Sequence, residues 1–319
     1  RWAYIVALLK LHEVARAERE MTLLGDLRSA GWHYERYPGV YPNRAGSMVP
    51  FALLVLHALL PAYSGKHDHA LGRLYALLAT ESEASAAAAS GPPPPQSSAG
   101  EGETPPGSLA RRSSVVLAIV NVLCTLQDFP NAIAHLEQMI GAYREQQAAA
   151  SPQQAEQPAT GQGLTPLLSL LGRLQLQLGN LTAAEEAFGR LESSLLTAAD
   201  ASVTVRINRG MLTMAQSQYA AALIEFDAAR SLEPTNAVAA NNAAVCQLYC
   251  CRLNDAVSTL EAQIRADPRG AMHEVLVSNL SALYQMREGG GSAKGTLERL
   301  VIAAATDDFD MGVLKPEEK

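Results

Sequence analysis

Apolar residues along this chain return every three or four positions, the spacing that lines one face of an α-helix. No segment alternates at the two-residue period of a strand between turn signals. The clearest recurrence lies in residues 203–268. Gly210, Ala222, Phe226 and Pro234 are followed, 34 residues on at each step, by Ala244, Ala256, Leu260 and Pro268. Ala229 adds one more small position to the first frame. Helix-pair packing explains these residue types. Small side chains let the two helices of a pair approach closely, and the large apolar ones pack against the next pair. Proline ends the second helix and pushes the residue before it into extended geometry.

This is the tetratricopeptide (TPR) pattern, with Gly or Ala at the eighth position, Ala at the twentieth, a large apolar residue at the twenty-fourth and Pro at the thirty-second. Weaker copies precede it. Leu171-Gly172, Gly179, Ala184 and Phe188 mark a repeat at about 165–198, and Phe129, Ala132, Leu136 and Met139 one at about 113–145. Gly65, Ala70, Leu74 and Leu77 mark one at about 51–81, and Val14, Ala17 and Met21 fit the second half of one at about 1–26. After Pro268, residues 271–286 read as another first helix, and 292–305 as a closing helix beyond Gly289-Gly290-Gly291. The expectation is an all-α, superhelical TPR solenoid, a single domain over 1–319 with about six repeats plus a C-terminal partial repeat. Two Ala/Pro/Gln-rich inserts, 82–110 and 146–163, cannot bury a core and are expected to be disordered, with Gly161-Gln162-Gly163 as a flexible spacer.

Charge narrows the function classes. The net charge is −7 and the isoelectric point about 5.6, which argues against nucleic acid and against a polybasic membrane surface. The most apolar run, Phe51 to Leu60, is half the length of a bilayer span and contains His57, so no direct membrane insertion is expected. The chain begins at Arg1 and reads as an excerpt of a longer protein; no signal peptide is visible. Cys124, Cys246, Cys250 and Cys251 suit reduced thiols better than a disulfide framework, and the last three fall on one predicted helix. The compartment is read as cytosolic.

Candidate chemistry is sparse. His67-Asp68-His69 lacks a partner cluster for a metal and reads as a helix-hairpin turn, and Cys246/Cys250 read as buried thiols. No nucleophile–base or paired-carboxylate arrangement appears, so no catalytic, cofactor or metal residues are assigned. Arg111-Arg112-Ser113-Ser114 lies where the first insert meets a helix, a place that welcomes a phosphate. Asn208 and Asn242 share the sixth position of successive repeats, facing the concave groove. With Asn241 and Asn279 they form a candidate ladder, since an amide offers donor and acceptor to an extended peptide. A peptide adaptor would also need cations to clamp a terminal carboxylate, and only Arg206 and Arg209 are near.

One stretch breaks the helical pattern. Residues 32–51 hold Trp32, Tyr34, Tyr37, Tyr41 and Phe51, with Pro after Tyr37, Tyr41 and Val49. The expectation is an extended segment laid along the helices, its rings buried, acting as a clasp or as a contact for another subunit. The motif YERYPGVYPNRAGSMVPF (34–51), followed by Leu53 to His57, resembles the family of TPR subunit 12 of the transport protein particle (TRAPP) tethering complex. PTNAVAANNAAVCQLY (234–249), RLNDAVSTLEAQI (252–264) and DPRGAMHEVLVSNLSALYQM (267–286) continue the resemblance. The family's long acidic N-terminal region is absent, and the inserts differ. The resemblance implies a non-catalytic scaffold in ER-to-Golgi vesicle traffic and autophagy, also linked to chromosome alignment in mitosis. Its implied partners are other TRAPP subunits and, through them, a Rab GTPase. Its implied place is the cytoplasmic side of ER–Golgi intermediate and Golgi membranes.

Overall fold

The computed structural model describes residues 1–90, 108–149, 159–195, 202–287, 291–306 and 309–314. It divides into two compact units, Arg1–Gly163 and Leu164–Lys319. The first holds α1 (Trp2–Lys10), α2 (Val14–Thr22), α3 (Phe51–Tyr63), α4 (His67–Ser90), α5 (Ser108–Thr125) and α6 (Phe129–Ala149). Then follow α7 (Ala159–Gln177), α8 (Leu181–Leu195), α9 (Val203–Ala215), α10 (Tyr219–Leu232), α11 (Ala237–Tyr249), α12 (Leu253–Ala266), α13 (Glu274–Met286) and α14 (Gly291–Ala304). The helices run in pairs of the TPR type.

Among the described residues, six of the pairs turn in one way. His12, Gly65, Gln127, Gly179, Ser217 and Cys251 all take positive φ, between 57° and 77°. At each turn the next N–H reaches back to the same carbonyl, as in Gln218 N to Thr213 O and Arg252 N to Gln247 O, 3.0 and 2.8 Å. This is the Schellman end, which satisfies carbonyls the helix leaves open and reverses the chain in three residues. The second helices of two successive pairs also end alike. Glu233 and Asp267, each before a Pro, adopt φ/ψ of −137°/88° and −141°/84°.

The small-against-large pairing sets the spacing within a pair. A Cβ on Gly210 would stand 2.7 Å from Phe226 Cε1, and one on Gly172 would collide with the Phe188 ring. Phe226 and Leu260 are fully buried, each in its own cluster of the second unit. Leu297 and Val301 of α14 join Leu276, Leu280 and Tyr284 of α13 in one core, as the expected closing helix of the C-terminal partial repeat.

The insert edges depart from expectation. Residues 82–90 continue α4 and 146–149 continue α6; 108–110 open α5 and 159–163, spacer included, open α7. Alanine and glutamine, rich in these edges, lose little entropy in a helix. The remaining insert residues, 91–107 and 150–158, lie outside the described residues. Cys250 and Cys251 also leave the predicted helix: they form the turn after α11, and Cys246 alone is buried within it. Burial pushes the Cys246 thiol up to about 11. Among the described residues no helix is long and apolar enough to cross a membrane.

Candidate functional site

The asparagine ladder resolves into unlike members. Asn208 is 1% exposed. Its Nδ2 donates to Ser169 Oγ at 3.0 Å, and its Oδ1 accepts from Arg173 Nε at 3.2 Å. Burial holds the Arg173 guanidinium below its ordinary value, so the amide oxygen answers a desolvated cation. Asn208 therefore ties α9 to α7 and is not offered to a peptide. The register shows what could have revealed this only with the fold in hand: the partners stand 39 and 35 residues earlier. Asn242, one repeat on, has Val203 and Ile207 at those offsets. Its Nδ2 is buried with no hydrogen-bond partner among the described residues. It is the same letter in the same frame, without the partners.

Asn241 and Asn279 do come together. Asn279 Nδ2 donates to Asn241 Oδ1 at 2.8 Å. The pair lines an apolar groove of about 180 Å³ between α11 and α13, with Val245, Leu248 and Met286. The cations a peptide clamp would need are engaged elsewhere. Arg209 makes a two-bond pair with Glu192, 2.9 and 2.8 Å, and Arg206 Nη1 reaches Glu225 at 2.9 Å.

The aromatic loop is not an extended strap. It folds back on itself. Tyr34 N donates to Gly46 O, Met48 N to Trp32 O, and His33 pairs with Ser47 in a single antiparallel bridge. Short 3₁₀ turns at Ala30–Trp32 and Tyr34–Arg36 start it. Proline disfavours the α region for the residue before it, but local carbonyl bonds still close a turn. Glu35 Oε1 accepts the Gly46 N–H at 2.7 Å, which holds this carboxylate below its ordinary value. The Tyr34 and Tyr41 rings meet edge to face at 5.2 Å, and Arg44 lies 5.6 Å above Tyr34.

Anchoring comes from the base. Val49 is buried among Ile5, Leu8, Met21 and Leu53, with Trp32 packed beside them. Phe51 opens α3 under the guanidinium of Arg111, 5.3 Å from the ring centre. The tip points outward: Tyr37 is 44% and Val40 69% exposed. The ring burial expected from sequence is thus incomplete: Trp32, Tyr34, Tyr41 and Phe51 are half-buried, and Tyr37 is exposed. Sequence reading missed Glu35 and Arg44, and it read Arg111 as part of a phosphate-welcoming stretch without its contact to Phe51, because such distances are not advertised by the chain. Among the described residues no three His, Cys, Asp or Glu side chains converge on a common point.

The chain was compared with known proteins. No protein-family model matches it. Trafficking protein particle complex subunit 12 of Mus musculus is 33% identical over 323 residues, 98% of this chain and 38% of that protein. The Homo sapiens protein of the same name is also 33% identical, over 98% of this chain and 42% of its own length. Over nearly its whole length, the chain is similar to these subunit 12 proteins. It spans about two fifths of the length of the curated relatives it matches. The crystal structure of BtubC from P. vanneervenii aligns with a TM-score of 0.52 over 73% of this chain and 91% of its own, at 16% identity, a likeness of fold. A thermophilic TPR protein of Thermus thermophilus, TTC0263, aligns at 0.41 over 60% of this chain and 89% of its own, at 15% identity.

Two features of the surface stand out: the loop tip, where Tyr37 and Val40 are exposed, and the apolar groove lined by Asn241 and Asn279. Asn208 belongs to the interior framework, and Asn242 is half-buried with its Nδ2 turned inward.

Proposed function

We propose that this chain is a non-catalytic scaffold of the TRAPP tethering complex, serving ER-to-Golgi vesicle traffic and autophagy through protein–protein contacts. The observation that carries the reading is the 33% identity over 98% of the chain to proteins named as subunits of that complex. The loop supports it. A self-braced turn that exposes a tyrosine and a valine costs little entropy to dock, because its shape is already fixed. Its partners would be other TRAPP subunits, and a Rab GTPase would be reached only through the complex. The chain would act in the cytoplasm, peripherally at ER–Golgi intermediate and Golgi membranes. The rival peptide-adaptor reading keeps the Asn241–Asn279 groove but has lost its cationic clamp to internal ion pairs.

Co-purification of the chain with the other subunits of the complex tests this. The native chain is expected to elute with them. Tyr37→Ala combined with Val40→Asp should fold with an unchanged melting temperature and weaken the association at least tenfold, about 1.4 kcal/mol. Tyr41→Ala, which removes half of a ring pair, should instead lower the melting temperature. Absence of the native chain from the assembled subunits would sink the proposal.

A further inference from the structure

The Arg111-Arg112-Ser113-Ser114 stretch lies in the first two turns of α5, and the helix separates its two serines. Ser113 is 7% exposed. Ser114 is exposed, and its Oγ donates to the Ala110 carbonyl at 3.0 Å, one turn back. The Nε atoms of Arg111 and Arg112 are both buried with no hydrogen-bond partner among the described residues. Arg111 spends its charge on the face of Phe51, the residue that ends the aromatic loop and begins α3. Two arginines whose Nε atoms lack an acceptor among the described residues thus precede one exposed hydroxyl, Arg111 on the same helix face as Ser114, and Arg111 also covers the base of the loop.

We infer that Ser114 is a phosphorylation site for an arginine-directed protein kinase, and that the phosphate draws Arg111 off the Phe51 ring. Arginines three and two residues before the acceptor serine suit a kinase groove lined with carboxylates. Ser114 Oγ attacks the γ-phosphorus of ATP. The new oxygen–phosphorus bond forms as the bond from that phosphorus to the β,γ-bridging oxygen breaks. ADP leaves, and the hydroxyl proton passes to the kinase's base. Opening the first two turns of α5 presents the Arg111–Ser114 stretch in extended form, at the loss of those turns' hydrogen bonds and of the burial of Ser113 and Val115.

Arg111 and Ser114 stand three apart on one helix face, where side chains meet. A phosphoserine supplies three strong acceptors there and about two negative charges. That outcompetes an aromatic face for the guanidinium, because the ring offers a quadrupole and the phosphate a full charge. Phe51 then loses its cover, and the junction between the loop and α3 loosens.

The test incubates the folded chain with the catalytic subunit of cyclic-AMP-dependent protein kinase and ATP, and maps phosphate by mass spectrometry. Incorporation is expected at Ser114, abolished in Ser114→Ala and retained in Ser113→Ala. Arg111→Gln and Arg112→Gln should each slow it about tenfold, one charge-assisted contact each. Circular dichroism of each variant separates loss of recognition from loss of fold. Hydrogen exchange at residues 48–53 should rise several-fold on phosphorylation, and Arg111→Gln alone should reproduce that rise. Phosphate on another residue, or none on the folded chain, overturns the site. Complete phosphorylation of Ser114 with unchanged exchange at 48–53 overturns the coupling to Phe51.

Discussion

The pairs α9/α10 and α11/α12 occupy successive 34-residue frames, with the same turn, the same helix ends and the same spacing of key residues. Their interiors are nevertheless solved differently. The first sets Gly210 under the ring of Phe226 and buries Asn208 in a polar contact with Ser169 and Arg173. The second sets Ala244 in the frame of Leu260, buries Ala239, Ala240 and Ala243, and leaves Asn242 Nδ2 without a partner among the described residues. A repeat fixes where a side chain sits. It does not fix what the side chain meets, because the partners come from the preceding repeat, which has drifted. A smaller neighbour across the pair is matched by a larger residue at the near position, so volume is conserved while its parts are exchanged.

The largest effect should come from violating that exchange. Gly210→Ala puts a methyl against the Phe226 ring and should destabilise by about 2 kcal/mol, although alanine is the better helix former by about 1 kcal/mol. Adding Phe226→Leu copies the Ala244/Leu260 solution. The double variant should recover at least about 1 kcal/mol relative to the sum of the singles, read from urea unfolding. Strict additivity would show that the two positions are not coupled.

Next comes the asparagine contrast. Asn208→Ala strands Ser169 and Arg173 and should cost about 1–3 kcal/mol. Asn242→Ala removes a buried amide hydrogen that has no acceptor among the described residues and should be neutral or stabilising by up to about 1 kcal/mol. Equal losses at the two sites in thermal melts would break the comparison.

The smallest effect should be shared by both pairs. Ser217 and Cys251 hold the left-handed turn with an ordinary Cβ, where Gly65 and Gly179 stand in other pairs. Ser217→Gly and Cys251→Gly should each stabilise by roughly 0.5–1 kcal/mol, since the left-handed cost of an L-residue exceeds the entropy glycine adds to the unfolded chain. A drop in the urea midpoint for either would mean its side chain contributes something the turn geometry does not reveal.

Much of this frame is legible in the chain. Gly210, Ala222, Phe226 and Pro234 sit where the recurrence requires, because close approach and helix ends depend on residue size and on the missing proline N–H. The loop at 32–51 is legible as a break in helix. Its fold is not: Glu35 finds Gly46 and Tyr34 finds Tyr41 through a local turn that a proline count does not predict. The reading of Asn208 as a peptide contact failed for a similar reason, since its partners lie some forty residues upstream on another helix.

The amino-acid sequence by itself determined the helix pairs, their 34-residue frame and the likeness to the subunit 12 proteins. These depend on periodicity, side-chain volume and backbone restriction, all carried by residues close in the chain. Only the tertiary structure decided which polar groups are spent internally. Asn208 is satisfied in the interior and Arg206 and Arg209 in part-exposed ion pairs within the chain, whereas Tyr37, Val40 and Ser114 face solvent. That division depends on contacts between distant segments, where a shift of one helix face exchanges a partner for water.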